Sequence, residues 1–445
     1  MMETVKQKIN IFERYTKELI ILSWPMIIGN MGNMLIGVED VFVAAKHSTD
    51  TLAAISVATA IFMSIFISGI GLLMSISPIV SNRRGGKKRS KNLLMMTVIY
   101  SLILSVIFFA ITRLSLIFIE KIGLTPVLTP LVKEYIDICS FSIFGAYLYN
   151  ALKEFLQAYE IVLFPNIVSL AAIIINPFIC FALVFGWWGL PALGVKGLAI
   201  TAVIIRTFMG LSLFVFCHRF LRNQISKTLE YIKELLKVGW PIAVSLFVEF
   251  SGFNITAILV GKISSVLTAA HNIIITFAST TFMIPLAISN AMAVKIGYAN
   301  GQKNLKSLKR YAIYGIAMIF LFMSFTAFMF VKFPIQLIQI FTTDPLVIQA
   351  ALPVILIVAG FQIFDGLQVG FSGVLKGLKL TKPIMLTTAI AYWIIGIPLG
   401  CTLAFKYNQG LYGLWMGLAV ALLSAAIISG IIIMLKLKQM ESKRS

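Results

Sequence analysis

Residues 15–25 read YTKELIILSWP and residues 231–241 read YIKELLKVGWP. The second phrase lies 216 residues after the first, and the register holds without a gap for a long way: Ala53-Ala54 falls on Ala269-Ala270, Gly85 on Gly301 and Lys87 on Lys303. A self-match whose period is half the chain is a duplication, not a solenoid. Chance convergence of two helix starts does not account for Tyr, Lys-Glu-Leu and Trp-Pro at identical spacing. Whatever one half folds into, the other half must fold into as well.

Composition fixes the solvent in which both halves fold. Of the 445 residues, 59% are hydrophobic and 12% charged, and the mean hydropathy is +0.95. Soluble domains carry about 25% charged residues, so this chain cannot keep a wetted surface. Apolar stretches of about 20 residues, enough to cross a bilayer, recur along its whole length. We place them at 20–45, 52–80, 93–119, 131–152, 165–187 and 197–217, then at 238–261, 268–294, 311–331, 347–373, 384–405 and 412–435. The fold class is therefore an all-α polytopic membrane protein, with twelve transmembrane helices in two pseudo-symmetric six-helix bundles. Six spans per copy make the repeats parallel, related by an axis along the membrane normal. The lobes are 1–217, with an amphipathic cytoplasmic start, and 238–445. Between them, 218–237 reads as a basic amphipathic linker helix in the cytoplasmic interface.

The net charge of +20 is a matter of topology. With the N-terminus inside, 27 of the 37 Lys and Arg fall on cytoplasmic segments and eight on the other side. This positive-inside bias predicts both termini in the cytoplasm of a multi-pass inner (plasma) membrane protein, with the lipid bilayer as partner. It leaves no role for nucleic acid, even at SNRRGGKKRSK (81–91). Residues 1–17 lack a cleavable signal, so the first span is expected to direct insertion. Cys139, Cys180, Cys217 and Cys401 are scattered through apolar segments and suggest buried free thiols. No long polar loop houses an enzyme, and HExxH and GxSxG are absent.

An Asp at the centre of a membrane helix costs about 2.5–3.5 kcal/mol on insertion scales. Four acids nevertheless lie well inside spans: Glu39 and Asp40 in the first, Glu249 in the seventh and Asp365 in the tenth. The only intramembrane Arg that offers itself as a partner is Arg206. Asn30, Asn33, Gly37 and Asp40 share one helix face. So do Ser245, Glu249, Gly252 and Thr256, and so do Gln362, Asp365, Gln368 and Ser372. Asn272, Thr276 and Ser279 add a stripe on the eighth span. Convergence of these stripes on a watery interior gives a negative site that favours a cationic ligand; hydrogen-bonded helix contacts are the alternative for the Asn, Gln and Ser residues. Glu39, near the outer end of its helix, can instead snorkel. Asp137 and His271 read as structural groups near the outer surface. Asn176-Pro177 is expected to break the fifth span and free a carbonyl.

These residues resemble the multidrug and toxic compound extrusion (MATE) family, NorM-like branch, of the oligosaccharide-exporter superfamily. The resemblance covers nearly the whole chain. Its motifs are Trp-Pro opening each lobe, Gly37-Val38-Glu39-Asp40 with Ala44, and Phe155-Leu156-Gln157-Ala158 followed by Pro165. Asn176 through Gly186, and Asp365 followed by Gly373-Val374-Leu375-Lys376-Gly377, complete the set. The departures are one acid more than usual at Glu39-Asp40, Lys376 in place of Arg, Lys379-Leu380 in place of Gly-Asp, and the Tyr159-Glu160 turn.

The resemblance implies a V-shaped pair of bundles that alternates between outward-open and inward-open states, with no enzymatic step and no cofactor. The expected function is secondary active multidrug export: antiport of small organic, chiefly cationic, compounds against Na+ or H+. Glu249, Asp365 and Asp40 are the coupling residues it implies, with Glu39, Asn33, Asn176, Asn254 and Gln362 as accessories. If the ion is Na+, Glu249 and Asp365 are its ligands, since carboxylate and carbonyl oxygens suit a hard cation. The protein is expected to work as a monomer. The rival within the superfamily is a lipid-linked oligosaccharide or lipid flippase, for which fourteen spans and a basic cavity would be more natural.

Overall fold

The computed structural model describes residues 2–87, 93–218 and 228–442. In chain order the helices are α1 (Met2–His47), α2 (Thr49–Leu73), α3 (Ile76–Gly85), α4 (Leu93–Ile119), α5 (Leu128–Ser140), α6 (Ser142–Ala158), α7 (Leu163–Phe185) and α8 (Val195–His218). The second half gives α9 (Thr228–Ile263), α10 (Ser265–Gly301), α11 (Leu305–Lys332), α12 (Pro334–Gln339), α13 (Pro345–Gly377), α14 (Thr381–Ala389), α15 (Ile397–Cys401) and α16 (Gly410–Ser442). Among the described residues, eleven helical segments are long and apolar enough to cross a membrane. The expected fourth span is the twelfth. It is divided at Phe141 into α5 and α6, so neither piece reaches full length.

Every span must satisfy its own backbone, because lipid offers no hydrogen bonds. Its hydroxyls do the same by donating back one turn, as Thr97 does to Leu93 O (2.7 Å), Ser105 to Ser101 O (2.8 Å) and Thr112 to Phe108 O (2.8 Å). The eleventh span shows what happens when that ladder is interrupted. Pro398 has no N–H to give to residue 394. Two π-helical stretches, Ile390–Gly396 and Thr402–Lys406, flank the short α15 that contains it.

The duplication is visible in the punctuation. Ser48 and Ser264, 216 apart, are both extended (φ −168° and −166°), and each caps the helix that follows with its hydroxyl. Lys87 and Lys303 are both left-handed (φ 53° and 57°). Glu160 and Lys379 repeat that conformation (φ 65° and 60°) after the register has slipped by three residues. At the same two turns, Ile161 N donates to Leu156 O (3.0 Å) and Leu380 N to Leu375 O (2.8 Å).

The chain divides into two compact units, and the division is not the one the repeat boundary suggests. One unit, here called the C unit, contains residues 1–27, 81–88 and 244–445. The N unit contains 28–80 and 89–243. Each half thus lends the start of its first helix to the unit built mainly from the other half. In the C unit, Tyr15, Leu19, Leu22 and Met26 form a buried stripe (7%, 0%, 3% and 1% exposed). Tyr15 bonds Ser307 (2.9 Å) and stacks edge-on against Tyr311. In the N unit, Tyr231, Leu235, Val238 and Ile242 form the matching stripe (2%, 0%, 6% and 1%), and Tyr231 bonds Thr97 (3.1 Å).

This continuity alters the expectation of interfacial helices at the N-terminus and at 218–237. Residues 10–47 are one helical segment despite Pro25, and 229–263 are another despite Pro241. A buried stripe that runs unbroken through the proline holds each together. Residues 219–227 of the expected linker lie outside the described residues.

Candidate functional site

Each unit encloses a cavity. The N-unit cavity, about 280 Å³, lies between α1, α2, α6, α7 and α8. A close approach of α6 to α8 forms one wall: a Cβ on Gly145 would lie 2.6 Å from the Arg206 carbonyl, and one on Gly210 would lie 2.5 Å from the Gly145 carbonyl oxygen. Only glycine admits backbones this near, the usual device of membrane helix packing. It sets Arg206, at mid-helix in α8, opposite Ser142 at the start of α6. Arg206 Nη1 donates to Ser142 Oγ (2.7 Å), and the guanidinium lies over the rings of Phe62 (5.4 Å) and Phe66 (5.0 Å). An Arg at the bilayer centre costs about 2.5–3.5 kcal/mol on insertion scales, which two cation–π contacts of about 0.5–2 kcal/mol each offset in part.

Asp40 faces the same cavity with Asn33 and Asn176. The Asn176 amide donates to both acids, to Glu39 Oε2 (3.1 Å) and to Asp40 Oδ1 (3.2 Å). Two adjacent carboxylates therefore share one donor group. Glu39 is bound inward to this amide rather than left to snorkel. The expected break at Asn176-Pro177 is absent: α7 runs from Leu163 to Phe185 through Pro177. The side chain of Asn176, not a freed carbonyl, is what reaches the acids. Asn33 accepts from Ser169 (3.1 Å), tying α1 to α7.

The C-unit cavity is larger, about 370 Å³, and lies between α9, α10 and α13. It brings together Glu249, Asp365 and Asn254, which the sequence nominated, with Asn272, Ser279 and His271. Its apolar wall is Phe250, Phe253, Phe282 and Phe361, and neither Lys nor Arg lines it. Asp365 is 5% exposed. Among the described residues, neither Glu249 nor Asp365 makes a hydrogen bond or ion pair. A buried carboxylate left so costs several kcal/mol. Asn254 spends its amide N–H on Phe250 O (2.9 Å) and leaves its carbonyl side for other use.

Gln362 is not part of the cavity wall. It is fully buried one turn away, where Nε2 donates to Thr281 Oγ1 (2.5 Å) and Oε1 finds no protein partner. Two residues that sequence reasoning passed over, Tyr392 and Trp415, pack behind the cavity wall against Phe253 and Phe361. Tyr392, in the π-helical stretch, is fully buried with its hydroxyl unpartnered. It stands against Gly252 and Phe253. The proline at 398 was the available signal, since π-helical turns gather at functional sites. Trp415 Nε1 donates to His271 Nδ1 (3.2 Å), which fixes His271 with its proton on Nε2.

Elsewhere the polar residues are structural. Ser245 bonds Thr388 (2.9 Å), and Thr256 bonds its own helix at Gly252 O (2.9 Å). Asp137 forms an ion pair with Arg113. Cys139, Cys180 and Cys217 are buried free thiols, and Cys401 is partly buried.

The MatE family model matches residues 25–182 and 241–402, one match on each repeat. The chain belongs to this family. Curated relatives of similar length agree with that placement. A probable multidrug resistance protein NorM of Rhizobium meliloti is 30% identical over 444 residues, covering 95% of this chain and 94% of the relative. The corresponding protein of Agrobacterium fabrum is 30% identical over 451 residues, covering 96% and 95%. Among solved structures, a eukaryotic MATE transporter superposes with a TM-score of 0.86 at 20% identity, covering 97% of this chain and 98% of that one. An outward-facing multidrug resistance MATE transporter of the MOP superfamily superposes with 0.83 at 18% identity, covering 96% of each. The MATE fold of twelve membrane helices in two bundles is therefore the fold of this chain, a multi-pass membrane protein of a transport family and not an enzyme.

Proposed function

We propose that this MATE protein is a secondary active multidrug exporter that exchanges small organic compounds, chiefly cations, for Na+ or H+. The observation that carries the proposal is the pair Glu249 and Asp365, held in one aromatic-walled cavity whose lining includes neither Lys nor Arg. An organic cation and the coupling ion both neutralise that pair, so they compete for it. A carboxylate pair with the Asn254 and Asn272 carbonyls and the Ser279 hydroxyl suits Na+ as a hard cation, and a proton needs only the carboxyl oxygens. The ion must bind the outward and inward states unequally, or it shifts nothing. Moving a two-state equilibrium from 1:99 to 99:1 takes about 5.5 kcal/mol. Relief of an unpaired buried carboxylate, several kcal/mol, is of the right size. Asp40, with Glu39, Asn33 and Asn176, forms a second acidic centre in the N unit. The Lys and Arg asymmetry supports both termini in the cytoplasm, with the plasma (inner) membrane as the proposed location. Action as a monomer is part of this proposal.

Equilibrium binding of ethidium to the purified protein tests the competition. Displacement by Na+ at constant pH assigns Na+ as the coupling ion, and displacement only by acidification assigns H+. The Glu249→Gln/Asp365→Asn variant is expected to respond to neither. Displacement that persists unchanged in that variant contradicts the assignment.

A further inference from the structure

The seam between α1 and α7 stays polar below the N-unit cavity. Asn33 accepts from Ser169, and Asp40 accepts from Asn176. Both pairs lie 136 residues apart, so the two helices run parallel in constant register. Glycines let them close up: a Cβ on Gly32 would lie 2.3 Å from Ile173 Cδ1, and one on Gly29 would lie 1.8 Å from Asn166 Oδ1. The same offset sets Asn30 opposite Asn166, one turn below Asn33 and Ser169. Asn166 is buried, and its Nδ2 donates to Val162 O (2.5 Å). That bond fixes the amide with Oδ1 on the side of Gly29. Asn166 Oδ1 and Asn30 Nδ2 are both buried, and neither finds a protein partner among the described residues. One is an acceptor and the other a donor. Water satisfies both at once, and buried waters settle where such groups are left over. Neither residue lines the cavity. On the α6 side, Tyr149, which does line it, donates to Pro165 O (3.0 Å), next to Asn166.

We propose that Asn30 and Asn166 hold a buried water, and that protons pass through it between the Asp40–Glu39 centre and the cytoplasm. Asp40 and Asn33 both line the cavity, so that stretch is crossed in cavity water. From Asn33 to Asn30 is one helical turn, about 5 Å. From Asn166 to the Val162 carbonyl is another, and it ends at the start of α7 beside the exposed Tyr159 turn. The bridging water spans the buried step between the two. The Asp40 carboxyl gives up its proton and becomes a carboxylate. The water takes one proton from the cavity side and passes another to the cytoplasmic side, so its own charge is unchanged. Asn30 and Asn166 are positioning residues: they orient the water and do not carry the proton. The charged and titratable groups around Asp40 are Glu39 on α1, Arg206 on α8, Tyr135 and Cys139 on α5, Cys180 on α7 and Tyr149 on α6. Helix α2 faces the cavity with Met63, Phe66 and Ile70. The inference rests on the exporter reading with H+ as the coupling ion.

The water site is tested without a gradient, by thermal unfolding of the purified full-length protein in lipid nanodiscs. Asn30→Leu and Asn166→Leu should each lower the unfolding temperature. Together they should lower it by less than the sum, because both act through one water. A rise with Asn30→Leu would mean that its amide was simply unsatisfied. That rise, or additive losses, would overturn the site. The route is tested in proteoliposomes by ethidium export under a pH gradient. Asn30→Leu should slow export about tenfold, the worth of one lost hydrogen bond to the passing water. Its equilibrium affinity for ethidium should stay at the wild-type value. Its solvent isotope effect in D2O should rise, because proton passage becomes the slow step. Asn30→Ser, which keeps a hydroxyl for the water, should recover most of the rate. Unchanged export in Asn30→Leu, or slow export with the wild-type isotope effect, would overturn the route. If only a Na+ gradient drives the wild type, the route falls and the exporter reading stands. If neither gradient drives it, the exporter reading fails and the route with it, while the unfolding result still decides the water.

Discussion

The two cavities lie on copies of one sequence, yet only one of them contains its own cation. In the N unit, Arg206 faces Asp40, and Asn176 binds both acids. In the C unit, Glu249 and Asp365 face phenylalanine rings and make no hydrogen bond or ion pair among the described residues. The residue 216 positions after Asn33 is Glu249, and the one 216 positions after Asp40 is Thr256, which bonds its own helix. Duplication therefore preserved what the backbone needs and released what the cavity needs. Caps, the left-handed turn at Lys87 and Lys303, and the tyrosine stripes recur in register. The charged groups do not. A pair of cavities that had kept identical groups would be two versions of one site; here the charged groups differ.

The comparison can be broken first at the backbone. A Cβ at Gly145 would fall 2.6 Å from backbone atoms of α8, whereas one at Gly252 would fall 3.0 Å from the Tyr392 ring. Gly145→Val is expected to cost about 3 kcal/mol or more, and Gly252→Ala about 1 kcal/mol, because a ring can yield where a helix cannot. Thermal unfolding in detergent would show it, and equal losses would contradict the rigid wall assigned to the N cavity. An effect smaller than that of Gly145→Val is expected at Asn176→Leu. Removing the shared donor leaves two carboxylates unsatisfied and should cost about 1–3 kcal/mol. Gln362→Leu, which removes a buried amide with one unpartnered oxygen, should cost less than that. The smallest effects belong to the exchanged helix starts. Tyr15→Phe and Tyr231→Phe each lose one hydrogen bond, about 1 kcal/mol. Near-equal losses in the two variants would sharpen the picture of reciprocal exchange, and a null effect at either would break it.

Much of this was legible in the sequence, and the reasons are particular. The period of 216 and the apolar spans are local patterns, so the repeat and the membrane fold followed from them. Glu249 and Asp365 stood out because an acid in lipid is costly wherever its helix lies. The partition of the units was hidden, since a repeat says what a helix resembles and not which neighbour buries Tyr15 or Tyr231. Pro177 reads as a break because proline removes one hydrogen bond, but α7 continues past it. Phe141 divided a span with no proline or glycine to announce it. Tyr392 went unremarked because a tyrosine in an apolar stretch looks like packing until its hydroxyl is seen buried and unpartnered. Arg206 was visible as the one intramembrane arginine. Its seat on Phe62 and Phe66 depends on three helices meeting, which no spacing encodes.

The central claim is that the unpaired acids of the C unit couple transport to an ion. The direct measurement is efflux of a fluorescent organic cation from cells or vesicles, driven by a Na+ gradient alone and then by a pH gradient alone. Wild type should respond to one of the two. Glu249→Gln/Asp365→Asn should lose the gradient-driven component while remaining folded and inserted, and Arg206→Gln should keep it. Wild-type efflux rates in the double variant under the driving gradient would contradict the account.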